Sequence, residues 1–107
     1  MHFKPIQPSA ILALPQSDDN EAIRIASRCG YTEIVSLLLS DSRVDPAARD
    51  SEAIRVACFW GRIEIVKLLL SDSRVDTTAN NNQATEWASH HGFWEIVKLL
   101  IADSGLV

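Results

Sequence analysis

The sequence predicts an all-α fold, a solenoid of helix–turn–helix repeats joined by short connecting fingers, and three observations carry that prediction. The chain repeats itself: NEAIRIASRCGYTEIVSLLLSDSRVDPAARD from Asn20, SEAIRVACFWGRIEIVKLLLSDSRVDTTANN from Ser51 and NQATEWASHHGFWEIVKLLIADSGLV from Asn82 align at a period of 31 residues without insertion. Apolar residues recur at helical spacing in two stretches of each unit, named here helix A and helix B. A glycine, Gly30, Gly61 or Gly92, divides the two stretches every time. The units are therefore residues 20–50, 51–81 and 82–107.

Helix A comes first. In the second unit Ala53, Ile54, Ala57 and Cys58 supply its apolar side. Asn20, Ser51 and Asn82 stand just before it, where a side-chain oxygen can accept from the open amides of a first turn. The glycines then end helix A, because a left-handed residue costs glycine no side-chain clash, and all three are expected at positive φ. Helix B follows with Ile65, Val66, Leu69 and Leu70 in the second unit. Glu33, Glu64 and Glu95 fall in its first turn, where the amide end of a helix favours negative charge, and helix-start charge is their reading.

After helix B come the fingers, Ser40 to Asp50 and Ser71 to Asn81. Pro46 holds Asp45 extended, and the polar run beyond it has no helical pattern. A helix pair with one apolar side cannot close a core alone, so the units must stack to bury Leu38, Leu39, Leu69 and Leu70. Ala26, Ala57, Ala88, Ile34, Ile65, Ile96, Leu38, Leu69 and Leu100 stay apolar in every copy and form the expected core.

These residues resemble the ankyrin repeat family from Asn20 to the end of the chain. EAIRIA, EAIRVA and QATEWA answer the family's TPLHxA opening, and GYTEIVSLLL, GRIEIVKLLL and GFWEIVKLLI follow its GHxEVVKLLL closely. Two departures stand out. The usual Thr and His of the opening are replaced by Glu21 with Arg24, Glu52 with Arg55 and Gln83 with Glu86; the first two pairs read as a substitute clamp three residues apart, lost in the third unit. The unit is also shorter than the family's, and neither finger contains glycine, so the fingers should be blunt loops rather than hairpins.

Residues 1–19 read as an N-terminal arm or degenerate capping half-repeat. Shifted by one period, Ile6 falls on Leu37, Ser9 on Ser40, Pro15 on Pro46 and Asp19 on Asp50, and Ile6, Ile11, Leu12 and Leu14 would shield the first unit. Disorder is the alternative for this segment.

Composition excludes several functions. The net charge of −4, without a basic stripe, disfavours nucleic acid. The longest apolar run near the start, Ala10 to Leu14, is too short for a signal sequence or a membrane span. Cys29 and Cys58 carry no metal-ligand spacing and read as reduced thiols, which points to an intracellular, cytoplasmic rather than nuclear, protein. His2, His90 and His91 belong to no catalytic motif, and adjacent histidines on a helix point about 100° apart, so they do not chelate one metal. No enzyme activity, metal or cofactor is expected.

The resemblance implies a protein-binding module that presents a concave face of first helices and fingers. The positions that differ among otherwise matching units mark the expected site: Arg28 and Cys29, then Phe59 and Trp60, then His90 and His91, just before each glycine. Stacking should set Arg28, Phe59 and His90 in one column and Cys29, Trp60 and His91 in another, with Phe59 and Trp60 as anchors. Asp50 and Asn81 join the site from the fingers. The competing reading of Trp60 is that it packs under the next turn.

The alternative function is a self-assembling piece, or a fragment of a larger scaffold, whose third repeat packs on another chain. Its support is an open side without a polar cap, carrying Trp87, Phe93 and Trp94 and ending apolar at Leu106 and Val107. The chain is accordingly expected as a monomer or as a homodimer through the third repeat.

Overall fold

The computed structural model describes residues 20–41 and 44–104, the side chains of 79–81 and 104 excepted. The arm expected over residues 1–19 lies outside the described residues. Among the described residues there are six helices and no strand: α1 Glu21–Cys29, α2 Thr32–Leu39, α3 Ala48–Phe59, α4 Ile63–Leu70, α5 Ala79–His90 and α6 Trp94–Ser104. Helices α1, α3 and α5 pack side by side as one layer, and α2, α4 and α6 form a second layer beneath it.

The period explains the core. All nine residues that stay apolar in every copy are buried, and the alanines Ala26, Ala57 and Ala88 let neighbouring first helices approach closely. Ile23, Ile54, Val35, Val66 and Cys58 complete the interior. Leu39 and Leu70 are only half-buried, because they lie at the edge of the second layer rather than between layers.

Gly30, Gly61 and Gly92 all have positive φ, at 84°, 71° and 75°. Each frees the chain to leave a first helix and enter the second within two or three residues. Glu33, Glu64 and Glu95 lie exposed in the first turns of α2, α4 and α6, as helix-start charges should. Ser40 and Ser71 close α2 and α4 by donating from Oγ to the carbonyls of Leu37 and Leu68, at 2.6 and 2.5 Å.

Helix starts differ from the expectation. Asn20 does not cap α1: it is itself left-handed, and its Oδ1 accepts from the Asp45 amide of the following finger at 2.8 Å. Ser51 repeats the arrangement, its Oγ accepting from the Asp76 amide at 3.0 Å. Both side chains are buried, and each serves a finger amide between units rather than the start of its own helix.

The substitute clamp is also redirected. Arg24 pairs with Glu52 of the next unit at 2.5 Å, not with Glu21, and Arg55 donates to Gln83 Oε1 at 2.6 Å. The third unit therefore keeps its half of the ladder through Gln83. Both arginines thus reach across to the neighbouring first helix rather than to the acidic residue three positions before them.

The fingers are blunt loops of turns. Asp45 and Asp76 each accept, through Oδ1, the amide two residues on, from Ala47 and Thr78, both at 2.9 Å. Where the first finger meets the second unit the chain makes a left-handed turn: Arg49, Asp50 and Ser51 have φ of 57°, 57° and 56°, and the Ser51 amide donates to the Ala47 carbonyl at 2.9 Å. Arg55 reaches back to this turn, donating from Nε to the Asp50 carbonyl and from Nη2 to the Arg49 carbonyl at 3.0 and 2.9 Å. Arg74 ties finger to finger by donating from Nη1 to the Val44 carbonyl at 2.9 Å.

The open side of the third unit is more polar than expected. Thr85 and Ser89 stand where Ile54 and Cys58 are buried one unit earlier, and both are half-buried. Val97 and Ile101 remain apolar on the second layer, and the Trp94 ring is 60 % exposed. Trp87 and Phe93 are not part of this side; both face back toward the second unit.

Candidate functional site

The site grows from the three places where a first helix ends at its glycine. Arg28 is exposed in the last turn of α1, Phe59 is the last residue of α3, and His90 is the last residue of α5. Trp60 and His91 follow, immediately before Gly61 and Gly92. Ala57 and Ala88 are buried just behind these turns and seat them on the core.

Phe59 is the hub. Its ring is half-buried and meets Trp60, Trp87 and His91 edge-on, with centroids 5.2, 5.1 and 4.9 Å away. His91 then stacks on Phe93 at 5.8 Å, and the Phe93 ring covers Gly61, where an added Cβ would stand only 2.9 Å from it. Trp60 is 51 % exposed, so it does not pack under the next turn. His90 and His91 are both exposed, with ring centroids 5.6 Å apart.

The expected columns are skewed. Phe59 of the second unit meets His91 rather than His90 of the third, so the contact runs diagonally from one column to the other. Trp87, which the sequence placed on the open side, belongs to this cluster; the signal for it is that a ring replaces Ile25 and Val56 at the same place in the unit. Arg62 was also missed. Its guanidinium lies against Gly30, just as Phe93 lies against Gly61, and its Nε donates to the Arg28 carbonyl at 3.0 Å.

Asp50 and Asn81 do not join the cluster. Asp50 is exposed in the left-handed turn at the opposite end of α3 from Phe59, and Asn81 lies near the start of α5, its side chain outside the description.

The described side chains here offer aromatic and charged contact surface. Burial pushes the Cys58 thiol up to about 12, which removes it as a nucleophile near neutral pH. Among the described residues, no group of three His, Cys, Asp or Glu side chains is placed to hold a metal ion. Nor is any described helix long and apolar enough to cross a membrane.

A family model described as ankyrin repeats, in three copies, matches residues 22–106. No curated protein and no solved structure matches the chain. With paired helices in two layers, a positive-φ glycine in every unit and a family match across most of its length, the chain belongs to the ankyrin repeat family.

Proposed function

We propose that the chain is a non-catalytic protein-binding module whose partner rests on Arg28, Phe59, Trp60, His90 and His91, with Asp50 and Asn81 flanking on the finger side. Ankyrin repeats are generally protein–protein interaction modules and typically lack catalytic activity. Trp60 is the observation that carries the assignment: a large ring, 51 % exposed, on a turn anchored by buried neighbours. Aromatic anchors of this kind dominate interface energetics, and a fixed ring loses little side-chain freedom on binding. The net charge of −4 argues against a nucleic-acid partner, and free Cys29 and Cys58 support an intracellular, cytoplasmic setting.

The test is the double variant Phe59→Ala with Trp60→Ala, titrated against a partner recovered from the source cell by affinity capture. Circular dichroism should show the helices intact, and binding should weaken by more than about 2 kcal/mol. A folded double variant that binds as tightly as the parent would remove the assignment.

A second reading, self-association through the third unit, rests on Trp94 and Ile101, which are 60 % and 37 % exposed. Light scattering separates the two. A stable dimer in which Trp94 becomes shielded from quenchers supports self-association, whereas a monomer with Trp94 accessible supports the heterologous partner.

A further inference from the structure

Each boundary between units is made by the same three contacts. At the first, Asn20 Oδ1 accepts the Asp45 amide at 2.8 Å, Arg24 pairs with Glu52 at 2.5 Å, and the Arg62 guanidinium lies over Gly30. At the second, Ser51 Oγ accepts the Asp76 amide at 3.0 Å, Arg55 donates to Gln83 Oε1 at 2.6 Å, and the Phe93 ring lies over Gly61. The arriving unit thus supplies a loop amide, an acceptor side chain seven residues later, and a long side chain ten residues after that.

The third unit repeats the holding side of this boundary. Asn82 keeps the left-handed backbone of Asn20 and Ser51, with φ of 63° beside 54° and 56°, and its exposed side chain bonds no partner among the described residues. Gly92 lies open, the nearest atom to an added Cβ being Trp94 Nε1 at 4.0 Å. Val97, the counterpart of fully buried Val66, is half-buried, and Trp94 is 60 % exposed. At the place of Arg24 and Arg55 stands Glu86, exposed and without a partner among the described residues.

That exchange of charge selects what fits. Where the earlier units offer a guanidinium to an oxygen acceptor, the third offers a carboxylate, so the arriving residue must donate. Glu is also shorter than Arg, and only a Lys or Arg closes the same gap with a full charge pair. Other charges leave this need in place. Arg55 is committed to Gln83 and to the Arg49 and Asp50 carbonyls, Glu95 and Lys98 pair with each other at 3.7 Å, and His90, one turn beyond Glu86, makes no bond to it. Asp103, near the end of α6, adds a further negative charge. A second copy of this chain continuing the stack would bring Glu21 against Glu86, a like-charge clash that disfavours it. Thr85 and Ser89, half-buried where Ile54 and Cys58 are buried, can return their hydroxyls to carbonyls of their own helix, so the face tolerates water until it is covered.

We infer that this face receives a helical hairpin of a partner protein, continuing the boundary already built twice. A loop amide of the partner donates to Asn82 Oδ1, a Lys or Arg seven residues later pairs with Glu86, and the apolar side of the hairpin lies on Val97 and Trp94. A long side chain from the hairpin's turn covers Gly92. The surface uses neither Phe59 nor Trp60 and stands apart from the turn-end site proposed above.

The probe is a synthetic copy of residues 71–104, the segment whose amide, side chain and ring already meet the second unit, made as Gln83→Lys and as Gln83→Glu. Titrated into the full chain labelled with nitrogen-15, the Gln83→Lys peptide should give saturable shifts at the Asn82 side-chain amide, Gly92 and the Trp94 indole. It should bind roughly fivefold more tightly than the Gln83→Glu peptide. Glu86→Lys in the chain should reverse that order, and Phe59→Ala with Trp60→Ala should leave it unchanged. A free peptide can fail to fold, so the pairing is also read in cis. The full chain continued after Val107 by residues 77–104 should melt higher when that copy carries Gln83→Lys than when it carries Gln83→Glu, and Glu86→Lys should invert the ranking. Equal melting of the two extended chains overturns the inference. So do peptide shifts confined to Ile54 and Cys58, which mean that the third unit is displaced, and a dimer of the unextended chain with Trp94 shielded. The turn-end face keeps its own test in every case.

Discussion

Asn20 holds Asp45: its Oδ1 accepts the Asp45 amide across 25 residues at 2.8 Å, and Ser51 holds Asp76 across the same separation. Each contact fastens the start of one first helix to the finger that introduces the next. Asn20→Ala and Ser51→Ala each leave a finger amide without its acceptor and should cost about 1–3 kcal/mol in urea unfolding. A melting curve that does not move for either variant would show that these amides find water instead.

Glycine replacement should have unequal costs along the array. Gly61→Ala meets both a φ of 71° and the Phe93 ring 2.9 Å from the new Cβ, whereas at Gly92 the nearest atom is Trp94 Nε1 at 4.0 Å. The left-handed backbone alone costs a residue with a Cβ about 1–2 kcal/mol. Thermal unfolding should therefore rank Gly61→Ala well below Gly92→Ala. Equal melting temperatures would mean that Phe93 swings away freely.

Thiol labelling should separate the two cysteines. Cys58 is buried, with its thiol pushed up to about 12, while Cys29 is half-buried. At pH 8 only roughly one Cys58 side chain in ten thousand is thiolate, and burial keeps the reagent from it. One thiol per folded chain should react with a disulfide reagent, identified by mass spectrometry as Cys29, and two after unfolding. Rapid labelling of Cys58 in the folded chain would show that α3 opens locally.

Acid should weaken the second finger. The Arg74 side chain bonds Asp72 at 2.7 Å and holds its carboxyl below the usual range, against a smaller opposing effect of burial. A depressed carboxyl contributes stability above its unfolded pKa, about 3.9, and that contribution is lost as pH falls through the folded value. The destabilisation by Arg74→Gln should accordingly be greater at pH 6 than at pH 2. Some of it should survive at pH 2, because the bond to the Val44 carbonyl does not titrate.

The fold was legible because a repeat exposes its own constraints. Ala57, Ile65 and Leu69 make the same contacts as their counterparts in other units, so the shared period marks the core directly. The turn glycines were legible for a similar reason, since a single residue type meets the backbone requirement. Partners across units were not. Arg24 has Glu21 three residues before it and Glu52 in the next unit, and only the stagger between neighbouring helices selects the second. That stagger also made the aromatic contact diagonal and drew Trp87 under Phe59. The left-handed turn at Arg49, Asp50 and Ser51 had no glycine to announce it; the three asparagines Asn80 to Asn82 at the matching positions, a residue type tolerant of that conformation, were the available hint.

Arg55 grips in two directions, and this gives the array a means of reporting its own assembly. With one guanidinium it steadies the carbonyls of Arg49 and Asp50 behind it and Gln83 ahead of it. The reversed backbone behind it is uphill by about 1–2 kcal/mol per residue and leans on that hold. If α5 swings away, Gln83 departs, the guanidinium gains freedom, and the reversed turn loses part of its restraint. Amide exchange at Asp50 and Ser51 should then keep time with α5 rather than with the rest of α3. A displacement of α5 should therefore register one unit upstream as faster amide exchange in the left-handed turn, while the Ser51–Ala47 bond keeps its handedness.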